Sequence, residues 1–305
     1  MIQHFAQISD PHLSSLAAVR PRDLLGKRAL GYLSWRQKRR FGTGLEVLAA
    51  LGRDLARMNF DQLLVTGDLT HIGLPQEFQQ ARDWLQSLGQ PERVALVPGN
   101  HDACVAAPWR DTYALWRAYM ASDNDPGGTG EALQFPSLRV RGKLAFIGLS
   151  TACPKSPLMA TGTLGDAQLG RLPGLLHSAA EQGLFRVVYL HHCPVAGQEK
   201  WRKRLTDAPQ IQALLEEHGA ELVLHGHGHR AHYSELQTRH GKLPVIAVPS
   251  ASALGLHGAD VAHYNRYRVA PRDGGWEVHI DARRYQRDTG EFGIGQERTL
   301  QLQRR

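Results

Sequence analysis

Five short apolar runs each end on a polar block, and this rhythm limits the fold more than any other feature of the sequence. Ser9-Asp10-Pro11-His12 follows the run 2–8, Gly67-Asp68 follows 63–66, and Gly99-Asn100-His101-Asp102 follows 93–97. His191-His192 follows 185–190, and Gly226-His227-Gly228-His229 comes just after 221–224. Between the runs lie segments of helical period. Leu45, Leu48, Leu51, Leu55 and Met58 recur at steps of three and four, and 77–88 lines up Phe78, Ala81, Leu85 and Leu88. Residues 109–120, 166–182 and 208–218 also read as helices, with Pro173 expected to kink or break the second of these. Short apolar runs alternating with helices define an α/β protein. A further strand is expected at 144–149, a loop at 123–130, and β-like segments at 245–248, 263–269 and 276–284. No repeat or linker divides the chain. The reading is one domain over 1–285 and a weakly ordered polar tail over 286–305.

In open α/β sheets, sites gather beyond the C-terminal ends of strands. The polar blocks there offer Asp10, His12, Asp68, Asn100, His191, His227 and His229. These are oxygen and imidazole donors without thiolates, a set that suits Mn, Fe, Zn or Co. Such ligation belongs to catalytic rather than structural sites. Seven candidates exceed what one tetrahedral ion needs, and a carboxylate can bridge two ions about 3.5–4 Å apart. Two divalent metal ions are therefore expected. Taken singly, each block has a plainer reading: Gly-Asp is a common turn, and a His pair is often only hydrogen-bonded. His225 reads as packing or support, His71 as a solvated loop residue at the mouth, and Trp109, Tyr113 and Trp116 as a packing face.

The chain has 305 residues and a formal charge of +7, but the excess is local. Residues 20–40 hold eight bases and one acid, and elsewhere acids and bases balance. The whole is therefore not read as a nucleic-acid binder. Within 20–40, Leu24, Leu25, Leu30, Tyr32, Leu33 and Trp35 interleave with the bases. Three roles stay open for this segment: packing, a basic rim that attracts anionic substrate, and contact with an anionic membrane surface. Gly26 and Gly31 weaken a continuous helix there. Cys104, Cys153 and Cys193 are too few for a disulfide framework and suit a reducing compartment. The start of the sequence lacks a leader profile, and no apolar run reads as a membrane span. The expected location is cytoplasmic, with peripheral inner-membrane contact as an option.

In their order, the blocks Asp-x-His, Gly-Asp, Gly-Asn-His-Asp, His and Gly-His-x-His resemble those of the calcineurin-like metallophosphoesterases. The resemblance implies a four-layer α-β-β-α sandwich with two mixed β-sheets. It implies one metal held by Asp10, His12, Asp68 and His229, and a second by Asp68, Asn100, His191 and His227, with Asp68 as the bridge. His101 would act near the leaving group, oriented by Asp102. His191 is taken as the ligand by alignment, with His192 the alternative. Cys193 stands where the family often has Pro. Residues 67–85 are similar to the bacterial branch of class III cyclic-nucleotide phosphodiesterases and glycerophosphodiester hydrolases. That implies hydrolysis of a small anionic phosphodiester by a metal-activated hydroxide. The alternatives are a UDP-diacylglucosamine-type pyrophosphate hydrolase at a membrane surface and a metal-binding scaffold without activity.

Overall fold

The computed structural model describes residues 2–13, 15–17, 19–24, 26–39, 44–125, 133–256 and 260–303, with Lys38 and Arg39 described by backbone only. Leu25, Arg40 and residues 126–130, which figure in the expectations above, lie outside the described residues.

Strand-forming segments assemble into two six-stranded sheets. The first has β1 (Gln3–Ile8), β2 (Gln62–Val65) and β3 (Val94–Leu96) in parallel. It continues from β1 through antiparallel β10 (His263–Arg272), β11 (Gly275–Gln286) and β12 (Glu291–Gln303). The second has parallel β5 (Leu144–Gly148), β6 (Phe185–Tyr189), β7 (Leu222–His225) and β9 (Gly241–Ala247). Its edges are antiparallel β4 (Ser137–Arg141) and β8 (His232–Thr238).

The sheets pack face to face through Phe5, Leu64, Tyr267 and Val278 of the first against Phe146, Val187 and Leu224 of the second. Helices α2 (Leu45–Arg57) and α3 (Pro75–Leu88) cover the outer face of the first sheet. Helices α5 (Asp166–Glu181) and α6 (Ala208–His218) cover the second. This is the expected α-β-β-α sandwich. Its central parallel strands are buried on both faces, which is why they read as largely apolar runs.

Four readings change. Helix α5 runs through Pro173 without a break. Residues 109–120 form two 3₁₀ turns, Trp109–Asp111 and Tyr113–Trp116, before the single-turn α4 (Arg117–Met120). The expected weakly ordered tail contains β12, which pairs with β11 along nearly its whole length. Its apolar residues Phe292, Ile294, Leu300 and Leu302 do alternate, but polar residues interrupt them, and backbone pairing carries this edge strand. The fourth change concerns residues 20–39. They form a 3₁₀ turn, then α1 (Lys27–Ser34), then a π-helical turn over Trp35–Arg39. Gly31 does not interrupt α1. A Cβ at this position would sit 2.6 Å from Ile72 Cγ2, so glycine allows the helix to seat against the body. Trp35 is buried with Leu16, Ile72, Leu74 and Cys104. Among the described residues no helix is long and apolar enough to cross a membrane.

Candidate metal centre

The loops after β1, β2, β3, β6 and β7 meet at one end of the two sheets. Backbone bonds knit the first two together: Asp10 N donates to Gly67 O at 2.9 Å and His12 N to Asp68 O at 3.1 Å. The loop after β2 is braced from below by α3. The Glu77 carboxylate accepts from the backbone N–H of His71 (2.7 Å), Ile72 (3.2 Å) and Leu74 (2.9 Å), capping the helix while fixing the loop.

Donor atoms of Asp10, His12, Asp68 and His229 lie within 4.8 Å of one another, as do those of His191, His192 and His227. Asp68 adjoins both groups, because its Oδ2 is 3.3 Å from His191 Nε2. Asn100 Oδ1 lies 3.2 Å from the same nitrogen. All seven sequence-derived ligand candidates are thus in one place.

Three imidazoles are aimed by one stretch of backbone. His191 Nδ1 donates to Thr66 O (2.7 Å), His12 Nδ1 to Thr70 O (3.0 Å), and His101 Nδ1 to His71 O (2.6 Å). A carbonyl only accepts, so Nδ1 carries the proton in each, and the neutral ring keeps its lone pair on Nε2. Outer hydrogen bonds of this kind are what orient metal-ligating histidines.

His192 differs. Its Nε2 donates to Ala160 O at 3.1 Å, so Nδ1 accepts from the Thr151 hydroxyl at 2.7 Å. Both nitrogens are occupied by protein, which favours His191 as the donor.

Backbone strain concentrates here. Among the described residues six non-glycine residues have left-handed φ, and five of them are Asp10 (50°), His12 (44°), Asp68 (57°), His227 (66°) and His229 (53°). Such conformations cost about 1–3 kcal/mol each and persist where the surroundings over-determine them. Two glycines permit the close approach. A Cβ on Gly67 would meet His191 Nδ1 at 2.7 Å, and one on Gly99 would collide with the Asp68 carboxylate.

The residues fit a pair of cations. His227 Nε2 is buried with no hydrogen-bond partner among the described residues. His12 Nε2 and His229 Nε2 face each other at 3.4 Å, with Asp10 Oδ1 3.1 Å from the latter. Burial alone would raise the Asp10 carboxyl, yet His229, His191 and His12 hold it well below the usual carboxylate range. Burial would likewise lower His191, but the Asp68 carboxylate raises it to about 9. His227 is kept neutral by burial and by His192 and His191. A buried carboxylate kept ionised beside several imidazoles forms a ready cation site.

Some expected roles shift. The Asp102 carboxylate is turned to the backbone of the ligand loops. It accepts from Asp68 N (3.0 Å), Gly99 N (2.9 Å), Thr70 N (2.9 Å) and Thr70 Oγ1 (3.0 Å), pinning two ligand loops together. His101 Nδ1 meets the His71 carbonyl. His71 is itself buried rather than solvated, stacked on His12 at 5.0 Å between centroids. Ser9 was missed by sequence reasoning. Its hydroxyl bonds Asp10 Oδ2 at 2.5 Å and leaves Oδ1 turned toward His229. A serine before Asp-x-His carries no chemical signal of its own. His225 is buried, with Nδ1 3.1 Å from Gly226 O. Trp116 packs on Phe78, as a core residue should. A third group, His279, Asp281 and Glu297, lies on β11 and β12, where Arg266 already occupies Asp281 Oδ2 at 2.7 Å.

Fold and donor set together define a two-sheet α/β protein with a His/Asp-rich centre at its strand ends. The chain belongs to the calcineurin-like phosphoesterase family, whose model matches residues 3–231. It is 30% identical over 186 residues to a probable cyclic nucleotide phosphodiesterase of Synechococcus sp., covering 60% of this chain and 63% of that one. It is 29% identical over 184 residues to a 3′,5′-cyclic-nucleotide phosphodiesterase of Nostoc sp., covering 57% and 58%. The chain thus spans about three fifths of the length of these two curated relatives. Among solved structures, a dimetal phosphatase from Danio rerio shares the fold, with a TM-score of 0.55 over 99% of both chains at 12% identity.

Proposed function

We propose that the protein is a metal-dependent hydrolase of small anionic phosphodiesters, with 3′,5′-cyclic nucleotides the first substrates to test. Asp10, His12, Asp68 and His229 would hold one divalent ion. Asp68, Asn100, His191 and His227 would hold the second, with Asp68 shared. The observation that carries the reading is the convergence of these seven donors, with the rings of His12 and His191 fixed through Nδ1 so that Nε2 faces the other donors. The relatives named as cyclic nucleotide phosphodiesterases support the substrate class. The donor set suits Mn, Fe, Zn or Co. When bound, two such ions neutralise phosphoryl oxygens and acidify a water near neutral pH.

The chain's own residues supply the rest. His101, with Nδ1 held on the His71 carbonyl, can carry a second proton at Nε2 and deliver it to the departing alkoxide. The Asp68 Oδ1 oxygen accepts from His101 N at 2.8 Å, which ties the acid to the bridging carboxylate. Asp102 keeps the two loops in register without touching substrate.

The test is hydrolysis of bis(p-nitrophenyl) phosphate and of 3′,5′-cyclic AMP, with Mn²⁺ and then with excess chelator. Metal-dependent turnover supports the reading. Inactivity with every first-row divalent metal, in a protein shown to bind that metal, would leave a scaffold.

A further inference from the structure

Three surface segments bordering the centre share one composition. They are residues 20–36, 155–160 and 199–204, and together they hold ten bases and two acids. Asp23 is already paired with Arg20 at 2.9 Å, and Glu199 is half-buried. Arg22, Arg36, Lys200, Arg202 and Lys203 are exposed. Four large apolar side chains project among these charges: Leu30 (41% exposed), Leu33 (49%), Leu158 (70%) and Trp201 (60%). Nine large hydrophobics are exposed among the described residues, so nearly half fall on these three short segments.

The segments are joined to each other and to the centre. Lys27 Nζ donates to Met159 O at 3.3 Å, and Ala160 N to Arg202 O at 2.9 Å. On one side, Arg28 Nη2 donates to Gly73 O at 2.7 Å, two residues beyond the carbonyl that holds His101. On the other, the Ala160 carbonyl accepts from His192.

We infer that these three segments form one docking surface for an anionic lipid bilayer, which brings the mouth of the metal centre against the headgroups. Exposed leucines and a tryptophan set among cations match the two components of an interface: apolar side chains at the acyl boundary and bases among anionic headgroups. A solvated face would have no use for four large apolar tips. A purely electrostatic substrate rim would need none either. Arg202 Cζ lies 4.9 Å from the centre of the Trp201 ring, a cation–aromatic pair that holds both groups at the surface. The contact is peripheral, since α1 has only 8 residues. It does not rest on the hydrolase reading, because binding is read without turnover.

The test is co-sedimentation of the full chain with vesicles of phosphatidylcholine alone, and with vesicles containing a quarter phosphatidylglycerol, at about 0.1 M salt. The protein should pellet with the anionic vesicles only. The variant Arg22→Gln/Arg36→Gln/Lys200→Gln/Arg202→Gln should lose roughly a hundredfold in partition. The variant Leu30→Ser/Leu33→Ser/Trp201→Ser should lose roughly tenfold or more. Both should keep the wild-type circular dichroism and melting midpoint, which exclude misfolding whether or not hydrolysis is detected. Absent or charge-independent vesicle binding overturns the inference. So does an apolar variant that partitions like wild type. Tighter binding to a single-stranded oligonucleotide than to anionic vesicles would reassign the surface to nucleic acid.

Discussion

The Nδ1–H of His191 points at the carbonyl oxygen of Thr66, 2.7 Å away, and this one bond turns Nε2 toward Asp68 and Asn100. Its neighbour His192 has both nitrogens spent on Ala160 and Thr151. Two adjacent histidines thus have opposite chemical availability, set by backbone and hydroxyl partners rather than by their own identity.

The pair should separate in metal analysis. His191→Ala should lose about one ion per chain on dialysis, with activity down about 100-fold or more. His192→Ala should keep its metal and instead lose about 1–3 kcal/mol of stability, as buried partners go unpaired. Metal content by mass spectrometry and denaturant unfolding read the two effects. Metal loss in His192→Ala with retention in His191→Ala would move the ligand to His192.

Asp102 and His101 should also part company. His101→Ala should retain both ions and lose turnover, most for substrates with poor leaving groups, by about 100-fold or more. Asp102→Asn replaces one acceptor oxygen by an amide facing N–H donors, so it should cost on the order of 2–4 kcal/mol and loosen the Asp68 loop. Its signature is a lowered melting midpoint with reduced metal affinity. If Asp102→Asn instead melts like wild type and copies the pH profile of His101→Ala, the carboxylate does orient the imidazole after all.

The strands that carry the ligands were legible because they are parallel and buried on both faces. Residues 63–66 and 185–190 are mostly apolar, with Arg186 the one charge, and the polar blocks stand out at their ends. What the sequence hid is backbone and edge behaviour. The carbonyls of Thr66, Thr70 and His71 aim three rings, yet a carbonyl is present at every residue and leaves no compositional trace. The edge strands β4, β8 and β12 escaped because their outward residues are polar and ladder bonds hold them. Gly31 looked like a helix breaker, and only its packing on Ile72 shows why α1 needs it.

His263, at the start of β10, gives a pH signature away from the centre. Burial pushes its imidazole down to about 4. The unfolded chain takes up a proton near pH 6.5, and the native one resists until about pH 4. The unfolded state therefore binds more protons between those values. Stability is full above about pH 6.5 and falls as pH drops toward 4, by on the order of 2–3 kcal/mol. His263→Gln should remove that share. The difference between wild-type and variant unfolding free energies should shrink steadily from pH 7 to pH 4. A difference that stays constant would mean the ring titrates alike in both states.

The last prediction separates stability from chemistry by their positions on the strands. Arg186 and Glu221 form a bidentate pair at 3.0 and 2.8 Å, with both side chains 1% exposed. Arg186 lies near the start of β6 and Glu221 just before β7, at the ends of these strands opposite the donor loops. Removing one partner leaves a buried charge without compensation, so Glu221→Ala should cost about 3–5 kcal/mol. Replacing both by apolar groups, as in Arg186→Met/Glu221→Leu, should recover most of that, because desolvation of the two ions then disappears as well. Neither variant touches a donor residue, so metal content and turnover measured well below the melting midpoint should match wild type. A stable Glu221→Ala would show that the pair contributes little. An equally stable fold with lost metal would instead couple this end of the sheet to the centre through β6 and β7.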